Sequence, residues 1–362
     1  MSEPYPANRR ERDAWVLARR APQPVHDPRR PHASFLEAER AESGELVEVL
    51  TVLLVSRECP WRCVMCDLWR FTTTTSVPRG AIPAQLAAVL DPNAEPAPGP
   101  AVERARQIKL YNGGSFFDPR AIPPADYPAI AQHVCRFERV IVECHPALVG
   151  DRCARFRDLL HAAAGNVGGR SAPPPVLEVA MGLETAHPAV LEKLNKGMTL
   201  ASFRRAAESL RRQGLAVRVF ILVQPPFLEP AQALPWARRS LEFAFDCGAT
   251  AAVLIPTRGG NGAVEALQAR GQFTPPPLAT LEAALDYGLE LGRGRVLADL
   301  WDLERLAACP ACFPSRRERL RALNLSQAPL PAIPCAVCSA PGPPAASQPS
   351  PGRHQVQPPL PA

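Results

Sequence analysis

Short apolar runs alternate with amphipathic stretches along the chain, and this alternation continues from about residue 46 to residue 300. Six apolar runs have the length of buried strands, and apolar residues at helical spacing follow them. Repeated strand–helix units imply a parallel sheet with helices outside, so the pattern predicts an α/β fold, a partial (βα)6 barrel of the TIM type. The six predicted strands cover residues 49–56, 107–111, 139–143, 177–185, 217–223 and 251–256, and one further short strand covers 296–301.

The two ends of the chain differ in composition from this repeat. Residues 1–45 are polar and rich in arginine and proline, which favours a loosely ordered, solvated arm; an arm that wraps the barrel or contacts phosphates is the alternative. Residues 46–300 form the predicted core, and residues 301–340 form a small cysteine-rich extension. Residues 341–362 are proline-rich and are expected to be disordered.

Composition narrows the class of protein. The chain has 362 residues, 46% of them hydrophobic, which is ample for a core, and its net charge of +6 is compatible with a nucleic-acid partner without requiring one. Eleven cysteines without a secretory signal favour metal ligation in a reducing compartment, the cytoplasm, over disulfides. No apolar run is long enough to span a membrane. Almost every basic residue is an arginine; the lysines are Lys109, Lys193 and Lys196.

Three cysteines directly follow the first predicted strand. Cys59, Cys63 and Cys66 lie in the sequence CPWRCVMC. Three thiolates on one loop can bind three irons of a [4Fe–4S] cluster and leave the fourth iron open to a small molecule, whereas electron-transfer clusters ordinarily take four cysteines. The alternative is a structural zinc loop that takes a fourth ligand from elsewhere in the chain.

Other candidate residues stand where later strands end. Gly113 and Gly114 follow the second strand, where paired glycines let backbone approach a ligand closely or simply form a turn. Glu143 ends the third strand, as a site residue or as a cap or ion-pair partner, and Glu184 ends the fourth. The carboxyl ends of parallel strands meet at one rim, where barrel active sites lie. Arg218 on the fifth strand is expected either near this rim or facing outward.

These motifs resemble those of the radical S-adenosylmethionine (radical SAM) superfamily. CxxxCxxC after a first strand is similar to the superfamily signature, and NGGS is similar to its GGE motif, with Ser115 in place of the acid. The segment GLET…KLNKG, residues 182–197, resembles that of elongator-type and methylthiotransferase members. The complete set is most similar to the archaeosine-synthase radical SAM subunits and their bacterial relatives.

The resemblance implies cofactors and an activity. It implies that Cys59, Cys63 and Cys66 bind a [4Fe–4S] cluster, which splits S-adenosylmethionine (SAM) into methionine and a 5′-deoxyadenosyl radical that takes a hydrogen atom from a substrate. Gly113 and Gly114 are expected to contact the methionyl part of SAM.

By the same resemblance, Glu184 is expected to contact the ribose hydroxyls of SAM, and Glu143 is a further candidate for SAM binding. An electron donor of the flavodoxin or ferredoxin type is implied, with a modified base in transfer RNA as the candidate substrate. The oligomeric state stays open.

A second cysteine group lies near the C-terminus and has the form CxxC…CxxC. Such pairs supply four thiolates to a closed structural zinc site, and an auxiliary [4Fe–4S] cluster is the alternative. The arginine-rich segment 316–321 between the pairs is expected either to dock on a phosphate backbone or to pack against the barrel. The four cysteines are Cys309, Cys312, Cys335 and Cys338.

Two other classes of protein fit some of these features. A non-catalytic, zinc-dependent RNA-binding protein would use all seven of these cysteines for zinc. An iron–sulfur electron carrier would need the cysteine loop but would not need Glu184 or the glycine pair.

Overall fold

An eight-stranded sheet forms the centre of the computed structural model, which describes residues 4–91, 100–165 and 173–339. The strands lie in chain order across the sheet; β1 runs antiparallel to β2, and β2 to β8 run parallel. The predicted disordered tail, residues 341–362, lies outside the described residues. The strands are β1 (Ala33–Arg40), β2 (Leu46–Leu53), β3 (Gln107–Tyr111), β4 (Arg139–Glu143), β5 (Val176–Glu184), β6 (Ala216–Val223), β7 (Ala251–Pro256) and β8 (Arg295–Ala298).

Helices follow the parallel strands, and their apolar residues join those of the strands in one large core. Strands covered on a face by helices are buried there, which explains why they read as continuous apolar runs. The helices in the described residues are α1 (Arg9–Leu17), α2 (Ala81–Leu90), α3 (Pro100–Arg104), α4 (Tyr127–Val134), α5 (Asp151–Gly165), α6 (Pro188–Lys193), α7 (Leu200–Arg212), α8 (Ala233–Asp246), α9 (Ala263–Gln268), α10 (Leu278–Glu290), α11 (Phe313–Ser326) and α12 (Ala336–Ser339).

The sheet is curled into a half-barrel. Arg295 on β8 lies 3.3 Å from the carboxylate of Glu39 on β1, although these are the two outermost strands. Neighbouring strands lie about 4.8 Å apart, so a flat sheet would separate the two residues by seven such steps. The predicted partial barrel with a cysteine-rich extension is therefore confirmed, and the further strand predicted at 296–301 corresponds to β8.

The N-terminal segment differs from the favoured expectation of a loosely ordered arm. It contains α1 and then β1, which pairs with β2 along its whole length. The alternating pattern of β1 is hidden in the sequence because Glu37 and Glu39 accept ion pairs from Lys109, a residue of β3. A strand that carries charged residues at its inward positions lacks the alternation of apolar and polar residues by which a strand is predicted.

An ion network fills the interior at the amino-terminal ends of the parallel strands. Arg218 on β6 is 1% exposed and pairs with Glu178 and Glu39 at 2.5 Å each, while Arg139 and Arg295 also reach Glu178. Both expectations for Arg218 are wrong, because its guanidinium points neither to the carboxyl rim nor to solvent. Although burial raises the pKa of Glu178, the three arginines hold it below its usual range. The network fills the end of the barrel that lies opposite the candidate site.

Candidate functional site at the carboxyl rim

The cysteine loop lies between β2 and α2, at the carboxyl rim. Burial raises the pKa of each of the thiols of Cys59, Cys63 and Cys66 to about 12, because a thiolate is disfavoured away from water. Nearby positive charge, such as that of bound iron, is therefore needed to hold them as thiolates. All three thiols stand on this one loop. Three thiolates on one loop can each bind a different iron of a cluster.

Two asparagines from other rim loops hold the cysteine loop in place. Asn261, after β7, donates to the carbonyls of Val64 at 2.8 Å and Cys66 at 3.2 Å. Asn195, after α6, donates to the carbonyl of Arg62 at 2.9 Å. Both side chains are buried, so each bond is protected from competition by water. The loop that carries the thiols is thus fixed by its neighbours as well as by its own turns.

The glycine pair after β3 packs directly on the cysteine loop. A Cβ on Gly114 would lie 3.4 Å from the Cβ of Cys59, and a Cβ on Gly113 would lie 3.1 Å from the Thr72 side chain. Gly113 also has a φ of +62°, in the region that side chains disfavour. The pair therefore permits a close approach of backbone to the loop. Ser115 is buried; its hydroxyl donates to the sulfur of Cys144 and accepts the N–H of His145, both in the loop after β4.

Glu143 lies beside the glycine pair rather than in a remote ion pair. Its Oε2 accepts the backbone N–H of Asn112 at 3.0 Å. Burial raises its pKa to about 7, although the backbone N–H groups of Asn112, Gly113 and Gly114 oppose this rise. The carboxyl group therefore lies against the backbone turn that carries the glycine pair, at the carboxyl rim.

Glu184 and Lys196 form a buried ion pair across the GLET…KLNKG segment. The Lys196 Nζ lies 2.5 Å from Glu184 Oε1, and the two side chains are 11% and 9% exposed. Gly182 makes room for the pair, because a Cβ there would lie 2.0 Å from the carboxylate and 2.4 Å from the ammonium. Glu184 has a φ of +68° at an irregularity in β5, which turns its side chain toward the pair.

An aromatic stack joins the cysteine loop to the loop after β4. Trp61 lies flat on His145, with ring centroids 3.5 Å apart and planes 11° from parallel. His145 Nε2 contacts the carbonyl of Lys196 at 3.0 Å, and its Nδ1 accepts the N–H of Ala147. Burial and the Lys196 charge lower the pKa of His145 to about 3, so the ring is neutral. The proton on its Nε2 then bonds the Lys196 carbonyl, which fixes the turn that follows α6.

The N-terminal segment crosses the same rim. Arg20 pairs with Glu58 at 2.6 Å, immediately before Cys59, and Gln23 donates to the carbonyl of Trp69 at 2.7 Å. Tyr5 donates its hydroxyl to the carbonyl of Lys193 at 2.5 Å. The alternative expectation of an arm that wraps the barrel therefore describes the structure better than a solvated arm.

The four C-terminal cysteines converge on one point. Their sulfurs all lie within 4.8 Å of one another, with Cys309–Cys335 at 3.9 Å and Cys312–Cys338 at 3.7 Å. This group can bind a metal ion. Backbone N–H donation from Cys312 lowers the pKa of Cys309 to about 7, which favours the thiolate that a metal requires.

The arginine-rich helix between these cysteines packs on the protein. Arg316 donates hydrogen bonds to Glu282, the shortest at 2.5 Å, and Arg319 donates to Asp286 at 2.8 Å. Both acids lie on α10. Two arginines of the segment are thus neutralised by α10, which favours the expectation of packing against the barrel over docking on phosphates.

The structure brings the predicted cysteines, glycine pair and both glutamates together at the rim, with further residues that support them. The sequence does not single out Asn195 or Asn261, and it marks Lys196 only as a rare lysine within the KLNKG motif. The sequence offered one signal: Asn195 and Lys196 lie within the KLNKG motif, and Asn261 lies in a glycine-rich loop after a strand.

No helix in the described residues is both long enough and apolar enough to cross a membrane.

Two known proteins that share one name are similar to this chain in sequence. No protein-family model matches the chain. It is 27% identical over 263 residues to archaeosine synthase subunit beta of Methanosarcina acetivorans, covering 70% of each chain. It is 26% identical over 197 residues to the subunit of the same name in Thermococcus kodakarensis, covering 53% of this chain and 57% of that one.

Among solved structures, methylornithine synthase (PylB) is 12% identical with a TM-score of 0.41, covering 74% of this chain and 80% of that one. The similarity to two proteins named archaeosine synthase subunit beta confirms the resemblance expected from the motifs.

Proposed function

We propose that this chain is a radical SAM enzyme in which Cys59, Cys63 and Cys66 bind a [4Fe–4S] cluster. The observation that carries the proposal is the position of the three thiols, which stand on one loop at the carboxyl rim and pack against Gly114. A reduced cluster with an open iron supplies the electron that splits SAM into methionine and a 5′-deoxyadenosyl radical. An electron donor of the flavodoxin or ferredoxin type provides that electron.

The residues around the loop suit the parts of SAM. The backbone at Gly113 and Gly114 approaches the loop closely and is free of side chains, so it can contact the methionyl part. Glu143 offers a carboxylate for the amino group, and Glu184 offers one for the ribose hydroxyls. Glu143 lies beside the glycine pair that packs on Cys59, and Glu184 pairs with Lys196, whose turn packs on Trp61, which supports a single binding position for SAM at the rim.

The C-terminal cysteine group is proposed to hold zinc. In a tetrahedral site with Zn–S bonds of about 2.3 Å, sulfurs lie about 3.8 Å apart. The measured 3.9 Å and 3.7 Å match this value, whereas thiolates on separate irons of a cluster lie further apart. Zinc here would fix the end of α12 to the start of α11 and so stabilise the extension.

Transfer RNA modification, with a partner subunit, is the proposed context of the reaction. Its support is the similarity to two proteins named archaeosine synthase subunit beta, together with the net charge of +6. Nucleosides from transfer RNA of cells with and without the gene, compared by mass spectrometry, test this part. An unchanged nucleoside profile would contradict the substrate and leave the SAM chemistry untouched.

Anaerobic reconstitution tests the SAM chemistry. The wild type is expected to bind about four irons and four sulfides at the rim, and to form 5′-deoxyadenosine from SAM with a reductant. Cys59→Ala should lose both, and Cys247→Ala, a buried thiol at the end of α8, should keep both.

Three outcomes would count against the proposal. Full 5′-deoxyadenosine production by Cys59→Ala would reject the assignment of the loop. Zinc in place of iron at the loop would favour a zinc-dependent RNA-binding protein. A redox-active cluster without SAM cleavage would favour an electron carrier.

A further inference from the structure

Lys196 is a buried cation at the centre of the rim. Its ammonium is 11% exposed and is paired with Glu184 at 2.5 Å. The chain otherwise uses arginine for nearly all its basic residues, and the compact ammonium fits a space that Gly182 keeps open. A guanidinium is wider and planar, so this site is shaped for lysine.

The position of this charge is fixed by the turn that carries it. Asn195 and Gly197 on either side have φ values of +60° and +71°. A Cβ on Gly197 would lie 2.9 Å from the ring of Trp61, so the turn packs directly on the cysteine loop. The Lys196 carbonyl contacts His145 Nε2 at 3.0 Å. The turn is therefore held on both sides.

The Lys196 charge lies against the cysteine loop. Asn195, the residue before it, donates to the carbonyl of Arg62 at 2.9 Å, and Arg62 directly precedes Cys63. Glu184 holds the ammonium in this position at 2.5 Å. The two members of the ion pair therefore carry opposite charges beside the same loop.

Building on the proposed function, we propose that Lys196 is a positioning residue that sets the reduction potential of the cluster bound by Cys59, Cys63 and Cys66. Reduction adds one negative charge to the cluster, and a fixed positive charge nearby stabilises the reduced form by Coulomb attraction. The same ammonium keeps Glu184 oriented toward the site. Lys196 thus connects SAM binding to electron uptake within one ion pair.

A redox titration of the reconstituted protein, followed by the spectrum of the reduced cluster without SAM, measures this effect directly. Lys196→Gln should make the cluster harder to reduce, by about tenfold in the equilibrium constant, which equals about 59 mV for one electron. Lys196→Arg keeps the charge, although its wider guanidinium fits this space less well, and should restore part of the potential. Lys193→Gln is the matched control, because Lys193 is an exposed lysine of α6 near Phe227, and its potential should equal that of the wild type.

The Glu184→Gln variant distinguishes an electrostatic effect on the cluster from the loss of a structural contact. It removes the opposing negative charge, so the cluster should become easier to reduce, opposite to Lys196→Gln. A shift in the same direction in both variants would overturn the inference, because loss of a structural contact affects both alike. Equal potentials in Lys196→Gln and Lys193→Gln would also overturn it.

Failure of this inference is distinguishable from failure of the proposed function. A wild type that forms 5′-deoxyadenosine, with no change of potential in Lys196→Gln, contradicts only the role of Lys196. A wild type that binds no iron and sulfide contradicts both. Should Lys196→Gln fail to bind a cluster, the upward shift in Glu184→Gln and the recovery in Lys196→Arg still decide the question.

Discussion

Asn261 donates its side-chain amide to the carbonyl of Val64, 2.8 Å away, and so ties the loop after β7 to the middle of the cysteine loop. The same side chain accepts the N–H of Val264 at 2.8 Å, at the start of α9. One residue thus begins a helix and fixes the loop that carries the thiols. Both loops lie at the carboxyl rim, so the sheet itself sets their distance.

Asn261→Ala is expected to lower the iron content of the reconstituted protein. The substitution leaves the buried Val64 carbonyl without its donor, which costs about 1–3 kcal/mol and loosens the loop. Asn8→Ala is a matched control, because Asn8 also accepts an N–H at a helix start, from Glu11 at 3.0 Å, but lies on α1. Iron analysis and thermal melting check the pair. Equal iron contents in the two variants would contradict a role for Asn261 in holding the loop.

Glu143 makes stability depend on pH. Burial raises its pKa from 4.5 to about 7. Between these values the folded state keeps a proton that the unfolded state releases, so the free energy of unfolding falls as the pH rises. Glu143→Gln removes this loss, and its advantage over the wild type should grow with pH to about 3 kcal/mol at most. Urea denaturation without SAM, at about pH 5 and about pH 8, measures the difference.

Glu138→Gln provides the comparison for this experiment. Glu138 is an exposed residue paired with Arg106 at 2.6 Å, outside the rim. The free energy of unfolding of Glu138→Gln should follow that of the wild type at both pH values. A constant difference between Glu143→Gln and the wild type across the range would show that the carboxyl of Glu143 does not titrate there.

The sequence predicts the parallel strands because each is an uninterrupted apolar run, and it predicts the site because Cys59 and Glu184 stand at strand ends in recognisable motifs. The same reasoning missed β1, since Glu39 replaces an apolar residue at an inward position and is neutralised by Lys109 and Arg218. Burial of a charge depends on partners far away in the chain, and local patterns do not contain them.

A similar limit applies to the contacts that support the site. Asn261 is 197 residues from Val64, and only the curled sheet brings them together. The sequence leaves open whether the arginine-rich segment docks on phosphates or packs against the barrel, because its acidic partners, Glu282 and Asp286, lie on a different helix. Composition along one helix says nothing about the charge of the surface it covers.

Cys335→Ser should release zinc from the C-terminal cysteine group while leaving iron at the rim unchanged. Three thiolates remain, and a structural zinc site that loses one of its four ligands binds much more weakly. The melting temperature should also fall, because metal binding is coupled to folding of the extension. Cys247→Ser, outside both groups, is the control for loss of a thiol. Loss of iron and sulfide in place of zinc would identify the group as an auxiliary cluster.

Asn324 on α11 and Gln327, the residue that directly follows that helix, take the place of a neighbouring strand along β8. Asn324 accepts the N–H of Ala298 and donates to its carbonyl, each at 2.8 Å. Gln327 makes the same two bonds to Val296, also at 2.8 Å. Residues three apart on a helix lie on one face, and alternate residues of a strand present their backbone groups in one direction, so the two spacings match.

Replacing either amide should destabilise the protein without affecting the cluster. Asn324→Ala and Gln327→Ala each leave backbone groups of β8 without partners, which costs about 1–3 kcal/mol. An uncovered strand edge also promotes association, so light scattering on heating should increase. Arg317→Ala, an exposed change on the same helix, should leave melting and scattering as in the wild type. Unchanged melting in both amide variants would show that α11 covers this edge without stabilising it.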